Sequence, residues 1–141
     1  MIRVEHSHWP VEAITHPGMT GKNNEDRFAV SAYRLSDRTN TPVLLAVLSD
    51  GIGGHRGGEV AAELAVTYIS QRLSESTALN PLTDLRVAIQ QASDVIYQQA
   101  STNTALQGMG ATVACAWMIG TRLYTATVGD SRIYLRRGER I

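Results

Sequence analysis

The amino-acid sequence predicts an α+β layered domain, and three observations carry that prediction. β-rich runs fall into two sets, two runs before and three after a pair of helical patterns. Connections in the second set are only "GT" and "GDS", short enough for tight antiparallel turns. No parallel strand-helix-strand alternation occurs, and two helices placed between sets of antiparallel strands make a layered arrangement. A chain of 141 residues suits one domain, 1–141, whose core needs neither disulfides nor a structural metal.

Each element follows from local pattern. Residues 11–15, "VEAIT", allow a short strand near the start. Residues 27–33, "RFAVSAY", alternate and are rich in strand formers. Residues 42–50, "PVLLAVLSD", are apolar on both faces, which marks an interior strand. The polar "LSDRTNTP" connects these two strands, which are expected to pair. Ala61, Leu64, Ala65, Tyr68, Ile69 and Arg72 or Leu73 recur at helical spacing and predict a helix over 58–75. A second helix starts at Asn80 as its cap, with Pro81 at the first helical position and Leu85, Ile89, Ala92 and Ile96 as its apolar stripe. Three strands follow over 111–119, 122–128 and 132–137. Gly138 then opens another hairpin turn whose returning strand has barely begun, so the sheet is expected to stop mid-meander with unpaired edge groups.

Composition excludes several function classes. Thirteen basic residues balance thirteen acidic ones, so no net field steers the chain toward nucleic acid or anionic lipid. Any anion must be bound locally. The single cysteine, Cys115, lies in the apolar run "TVACAWMI" and reads as a small buried hydrophobe. The amino terminus has no apolar core of signal-peptide length, and the longest apolar run, 43–48, is far too short to span a bilayer. A cytoplasmic protein with neither a membrane nor a nucleic-acid partner is the expectation.

The chemistry concentrates in acids placed at strand ends and turns: Glu25 and Asp26 in "NNEDR", Asp50 in "SDGIGGHRGGE", and Asp130 in "TVGDSR". If the fold gathers them, each pair about 4 Å apart repels by roughly 4 kcal/mol at an effective dielectric near 20. Such a cluster calls for divalent cations, and hard oxygen donors without thiolates or paired histidines suit Mg²⁺ or Mn²⁺ better than Zn²⁺. Glycines after Asp50 let the main chain turn sharply and bring the Gly51 carbonyl toward an ion, while the helix beginning near Gly58 offers an amino end that favours anions. An isolated Asp-Gly after a strand is more often only a turn. "GGHRGGE" is no Walker A loop, and "GIGG" lacks the dinucleotide-binding spacing. Asp130, Ser131 and His55 lack the strained nucleophile elbow of a hydrolase triad. His6, His8 and His16 read as solvated, and His55 as either a loop residue or a substrate contact.

Taken in order, "NNEDR", "VLSDGIGGHRGGEVAA" and "GMGATVACAW…LYTATVGDSRIYLRRG" resemble the PPM-type, or type 2C, metal-dependent serine/threonine protein phosphatases in their bacterial form. The resemblance covers about 18–138. It implies a four-layer β-sandwich flanked by antiparallel helices, here incomplete, and hydrolysis of phosphoserine or phosphothreonine in a phosphoprotein partner. It also implies two Mg²⁺ or Mn²⁺ ions, or three. Asp50 would bridge the first two and the Gly51 carbonyl would bind one of them. Glu25 and Asp26 would support both ions, largely through water, and Asp130 would help to hold the third. Asp50, Glu25 and Asp26 thus form the expected catalytic set.

Three departures accompany the match. Gly21 stands where the family usually has a phosphate-gripping arginine, with Lys22 beside it; lysine supplies charge without a two-pronged fork. Ile52 stands where eukaryotic members have a histidine. The family's two later aspartates have no counterpart, since Glu139 is the only acid after Asp130. The expectation is therefore the amino-terminal portion of a phosphatase domain, weak or inactive alone. Two competing readings are a non-catalytic phosphatase-like module that binds or regulates, and a small domain that completes its sheet by dimerising through the exposed edge.

Overall fold

Alternating side chains build the sheet, because only one of its faces can be buried by the helices. The computed structural model describes residues 1–19, 23–53 and 57–141. Its strands are β1 (Ile2–Val4), β2 (Arg27–Ser36), β3 (Thr39–Ser49), β4 (Gly51–Ile52), β5 (Gly110–Ala111), β6 (Val113–Ile119) and β7 (Arg122–Val128). Helices α1 (Gly57–Ser74) and α2 (Pro81–Thr102) lie between β4 and β5, and a short 3₁₀ turn spans Thr104–Leu106. The main sheet has the order β1-β2-β3-β6-β7, antiparallel throughout, and β4 pairs with β5 in a separate two-stranded ribbon. The α+β class is therefore as expected, with a helical layer on an antiparallel sheet.

Strand β3 sits at the centre of the sheet, as its two-faced apolarity predicts. Val43, Leu45 and Val47 point to the helical side and are fully buried with Tyr33, Cys115 and Trp117. Ile69 and Leu73 of α1 and Leu85 and Ala88 of α2 close that core. On the other face Leu48 is 43% exposed and Phe28 38% exposed, a face that residues near Val11 and Ile133 cover only in part. The α1 stripe differs from its expected form: Ala62 and Val66 join Ala61, Ala65, Ile69 and Leu73 inside, whereas Tyr68 turns to solvent. Small alanines let the helix lie close to the sheet. The amino-terminal ammonium of Met1 donates to the Ser74 carbonyl at 2.9 Å, placing positive charge at the carboxy end of α1.

Four local expectations are corrected. The polar link between β2 and β3 is mostly strand, with Ser36 pairing Thr39 across a two-residue turn. Residues 11–15 form no strand, and the edge strand is Ile2–Val4 instead. Residues 132–137 form no strand either; only an isolated bridge joins Arg137 to Arg140 around Gly138, whose φ of +62° fits the expected turn. Both segments have strand-like composition, yet a strand exists only where a neighbour completes its hydrogen bonds, and no described strand runs beside them. Asn80 occupies the cap position of α2 without a side-chain cap bond. There Ser76 does the polar work, donating to Asp84 at 2.6 Å and accepting from the Ala78 amide at 2.8 Å.

Among the described residues no helix is long and apolar enough to cross a membrane. Cavity energetics set the cost of disturbing the two faces of β3. Leu45→Ala should lower unfolding free energy by about 3 kcal/mol in urea titration, whereas Leu48→Ala should cost only about 1 kcal/mol or less.

Candidate functional site

The site grows from the point where β3 stops. Thr112, between β5 and β6, locks that point by accepting from the Asp50 amide through Oγ1 at 3.0 Å. Its own amide donates to the Asp50 carbonyl at 2.8 Å, and the Ser49 hydroxyl donates to the Thr112 carbonyl at 2.7 Å. Ser49 and Thr112 are buried, so the bond between them is made away from water, where leaving a partner unsatisfied is costly. The end of the central strand is thereby fixed, and with it the origin of the Asp50 side chain.

Two glycines bring α1 to the same point. A Cβ on Gly51 would lie 2.1 Å from the Gly58 carbonyl oxygen, and a Cβ on Gly58 would lie 2.6 Å from Glu25 Oε2. Only backbone without side chains permits that approach. The Glu25 carboxylate consequently rests against the first turn of α1, where the helix macrodipole favours negative charge. Asp26 follows directly, its amide donating to Asn24 Oδ1 at 3.0 Å, and Asn24 in turn donates to Thr15 Oγ1 at 2.7 Å.

Asp130 arrives from the far side of the sheet, just after β7. Gly129 turns the chain with φ +83°, and a Cβ there would be 2.9 Å from Thr112 Cγ2. The Ser131 hydroxyl then meets Thr112 Oγ1 at 2.6 Å. One threonine thus joins the Asp50 segment to the Asp130 segment.

The electrostatics register this convergence. The Asp50 carboxyl is pushed above its ordinary value of 3.8, first by burial, then by the charge and hydrogen bond of Asp26, and then by the charges of Asp130 and Glu25. Acids from two other stretches of chain therefore act on one carboxylate. Among the described residues no group of three or more His, Cys, Asp or Glu side chains is arranged to hold a metal ion as it stands. Carboxylate oxygens are the hard donors that Mg²⁺ and Mn²⁺ prefer.

Other candidates separate clearly. Lys22 and His55 lie outside the described residues, as does Gly21. Ile52, two residues after Asp50, is 60% exposed. His6, His8 and His16 are exposed, His8 edge-on to Trp9 and His16 accepting from the Gly18 amide. Cys115 is buried in the core, and desolvation pushes its thiol up to about 12, which leaves it inert as a nucleophile. Sequence reasoning missed Thr112, because a threonine in a strand-rich run carries no signal of its hydrogen-bonding partners.

Comparison with known proteins gives a consistent result. The profile of the family described as Protein phosphatase 2C matches residues 18–141. The serine/threonine phosphatase stp of Listeria monocytogenes is 37% identical over 128 residues, 88% of this chain and 48% of that protein. The serine/threonine protein phosphatase PstP of Mycobacterium tuberculosis is 32% identical over 120 residues, 85% of this chain and 21% of that protein. A crystal structure of a bacterial serine phosphatase variant superposes with a TM-score of 0.75 at 31% identity, covering 90% of this chain and 56% of that one. The catalytic domain of PstP, crystallised with two manganese ions, superposes with a TM-score of 0.67 at 30% identity, covering 82% and 45%. The chain spans about half the length of the Listeria relative it matches.

Two outcomes follow from the geometry. Thr112→Val should destabilise the chain by about 1–3 kcal/mol in urea titration and speed amide exchange at Asp50, since the Asp50 amide and the Ser131 hydroxyl lose Thr112 Oγ1 while the main-chain bonds of residue 112 remain. For Asp50 the sign is set by its raised folded-state pKa. The ionised form is disfavoured by folding, a penalty absent well below 3.8, where the group is protonated in both states, and full above the folded-state midpoint. In metal-free buffer the melting temperature of Asp50→Asn should therefore exceed that of the parent chain at pH 7, with the two converging as pH falls toward 3.8.

Proposed function

Because the chain belongs to the Protein phosphatase 2C family, we propose that it carries the first half of a metal-dependent site that hydrolyses phosphoserine and phosphothreonine in proteins. The observation supporting this most strongly is the convergence of the Glu25, Asp26 and Asp130 segments on the end of β3, where burial and then their charges push the Asp50 carboxyl above its ordinary value. Mutual repulsion of that kind persists in a fold when cations relieve it. The PstP catalytic domain, which holds two manganese ions, is a relative in which such ions are present.

In this reading Asp50 and the Gly51 carbonyl would be ligands of two Mg²⁺ or Mn²⁺ ions. Glu25 and Asp26 would support them through water, and Asp130 would help to hold a third. Divalent ions bound there supply Lewis-acid stabilisation of phosphoryl charge and make water a competent nucleophile near neutral pH. The chain's own part is to bring three of these acids together before any ion arrives, Asp50 through Thr112, Glu25 through the start of α1, and Asp130 through the neighbouring Ser131. Lys22 supplies positive charge for the incoming phosphate, and His55 is a substrate contact. The half-exposed second face of the sheet, with Leu48 and Phe28, suits the second sheet of a four-layer sandwich, which completes the fold and the site. Turnover belongs to that complete domain, and the 141-residue chain alone should be weak or inactive.

A non-catalytic phosphatase-like module is the second reading. It is favoured by the absence, among the described residues, of any three-ligand group ready for a metal. Phosphate release from a phosphothreonine peptide, measured with Mn²⁺ on this chain and on a version extended by the remaining part of a relative's catalytic domain, separates the two. Hydrolysis that requires Mn²⁺, disappears with EDTA and falls by about 100-fold or more in Asp50→Asn is expected of the extended chain. An extended chain that is inert with its acids intact would favour the binding module.

A further inference from the structure

We propose that Arg27 is a positioning residue that holds the Glu25–Asp26 turn against Asp50 by clamping it to α1. The inference rests on the reading of the acid cluster as a cation-binding centre. Arg27 begins β2 and pairs with Ser49, the residue before Asp50. Its Nη1 donates to the carbonyls of Asn24 at 3.0 Å and Asp26 at 2.8 Å, the two carbonyls that flank the acid pair. Its Nη2 forms an ion pair with Glu59, and its Nε lies 3.3 Å from Glu63 Oε2, one turn further along α1. All three guanidinium nitrogens are thus engaged, with the acidic turn on one side and the helix on the other.

The clamp matters because of where its ends sit. Glu59 follows Gly58, the residue against which both Gly51 and the Glu25 carboxylate are pressed. Arg27 therefore closes a ring that runs from Asp50 through Gly51, Gly58 and Glu59 back to the acid pair. A planar fork can serve two carbonyls and two carboxylates at once, and a lysine ammonium cannot. Exposed ion pairs alone would contribute little, but here the side chain is only 28% exposed and half of its bonds fix main-chain carbonyls.

Charge and position make opposite predictions, which gives a decisive test. A cation near the acid cluster is repelled by Arg27, so on charge alone Arg27→Met should tighten Mn²⁺ binding and Arg27→Lys should leave it unchanged. If Arg27 acts by position, both variants weaken Mn²⁺ affinity by about 10-fold. Mn²⁺ binding is measured on the 141-residue chain by paramagnetic resonance of the free ion, with amide exchange mapped in parallel. The expected result is weaker binding in both variants, faster exchange confined to residues near 24–27, and undiminished protection in α2 and β6. Mn²⁺ binding in Arg27→Met equal to or tighter than that of the parent chain would overturn the proposal, and so would unchanged binding in Arg27→Lys if the methionine variant fails to fold. Asp50→Asn serves as the separate control. If the parent chain takes up no more Mn²⁺ than Asp50→Asn, the cation-centre reading itself falls and takes this inference with it.

Discussion

The contact between Gly51 and Gly58 is the constraint on which the rest of the site depends. A strand end and a helix start meet there backbone to backbone, at a spacing that a single Cβ on Gly51 would close to 2.1 Å from a carbonyl oxygen. From that contact the position of α1 follows, and with it the placement of Glu25, whose carboxylate lies against the same first turn. Gly51 and Gly58 are therefore packing residues. They let an apolar core on one side of β3 and an acidic cluster at its end share the same helix.

That arrangement explains how a chain of zero net charge can build a strongly polarised site. Asp50 is anchored through its main chain to Thr112, which fixes where its side chain begins relative to the charges that raise its pKa. Thr112 also reaches Ser131, which couples the Asp130 segment to the same origin. The core supplies the rigidity: Val47 and Ser49 alternate onto the buried face of β3 immediately before the acid. Stability and site geometry therefore share one strand, and damage to either end is felt at the other.

Much of this was legible in the residues themselves. Apolarity on both faces marked β3 as central, Pro81 marked the start of α2, and acids at strand ends pointed to convergence, because a layered sheet brings such ends together. Local pattern failed where the deciding partner is distant in sequence. Residues 11–15 and 132–137 have strand composition, but composition does not supply a neighbouring strand. Asn80 looks like a cap, yet Ser76, on the far side of the turn, takes the polar role with Asp84. Thr112 and Arg27 look like ordinary strand residues, and their roles arise only from bonds across 62 and 32 positions of chain. Tyr68 obeys helical spacing but loses its place inside to Ala62 and Val66, because close approach of α1 favours small side chains.

The central claim is that acids from separate stretches of chain act on Asp50 at a single point. The measurement that bears on it most directly is a carbon-13 titration of the Asp50 carboxyl in metal-free buffer, in the parent chain and in Asp26→Asn and Asp130→Asn. The account predicts a midpoint above 3.8 in the parent chain that falls in both variants, and falls further for Asp26→Asn. A midpoint at the ordinary value, unmoved by either substitution, would contradict it.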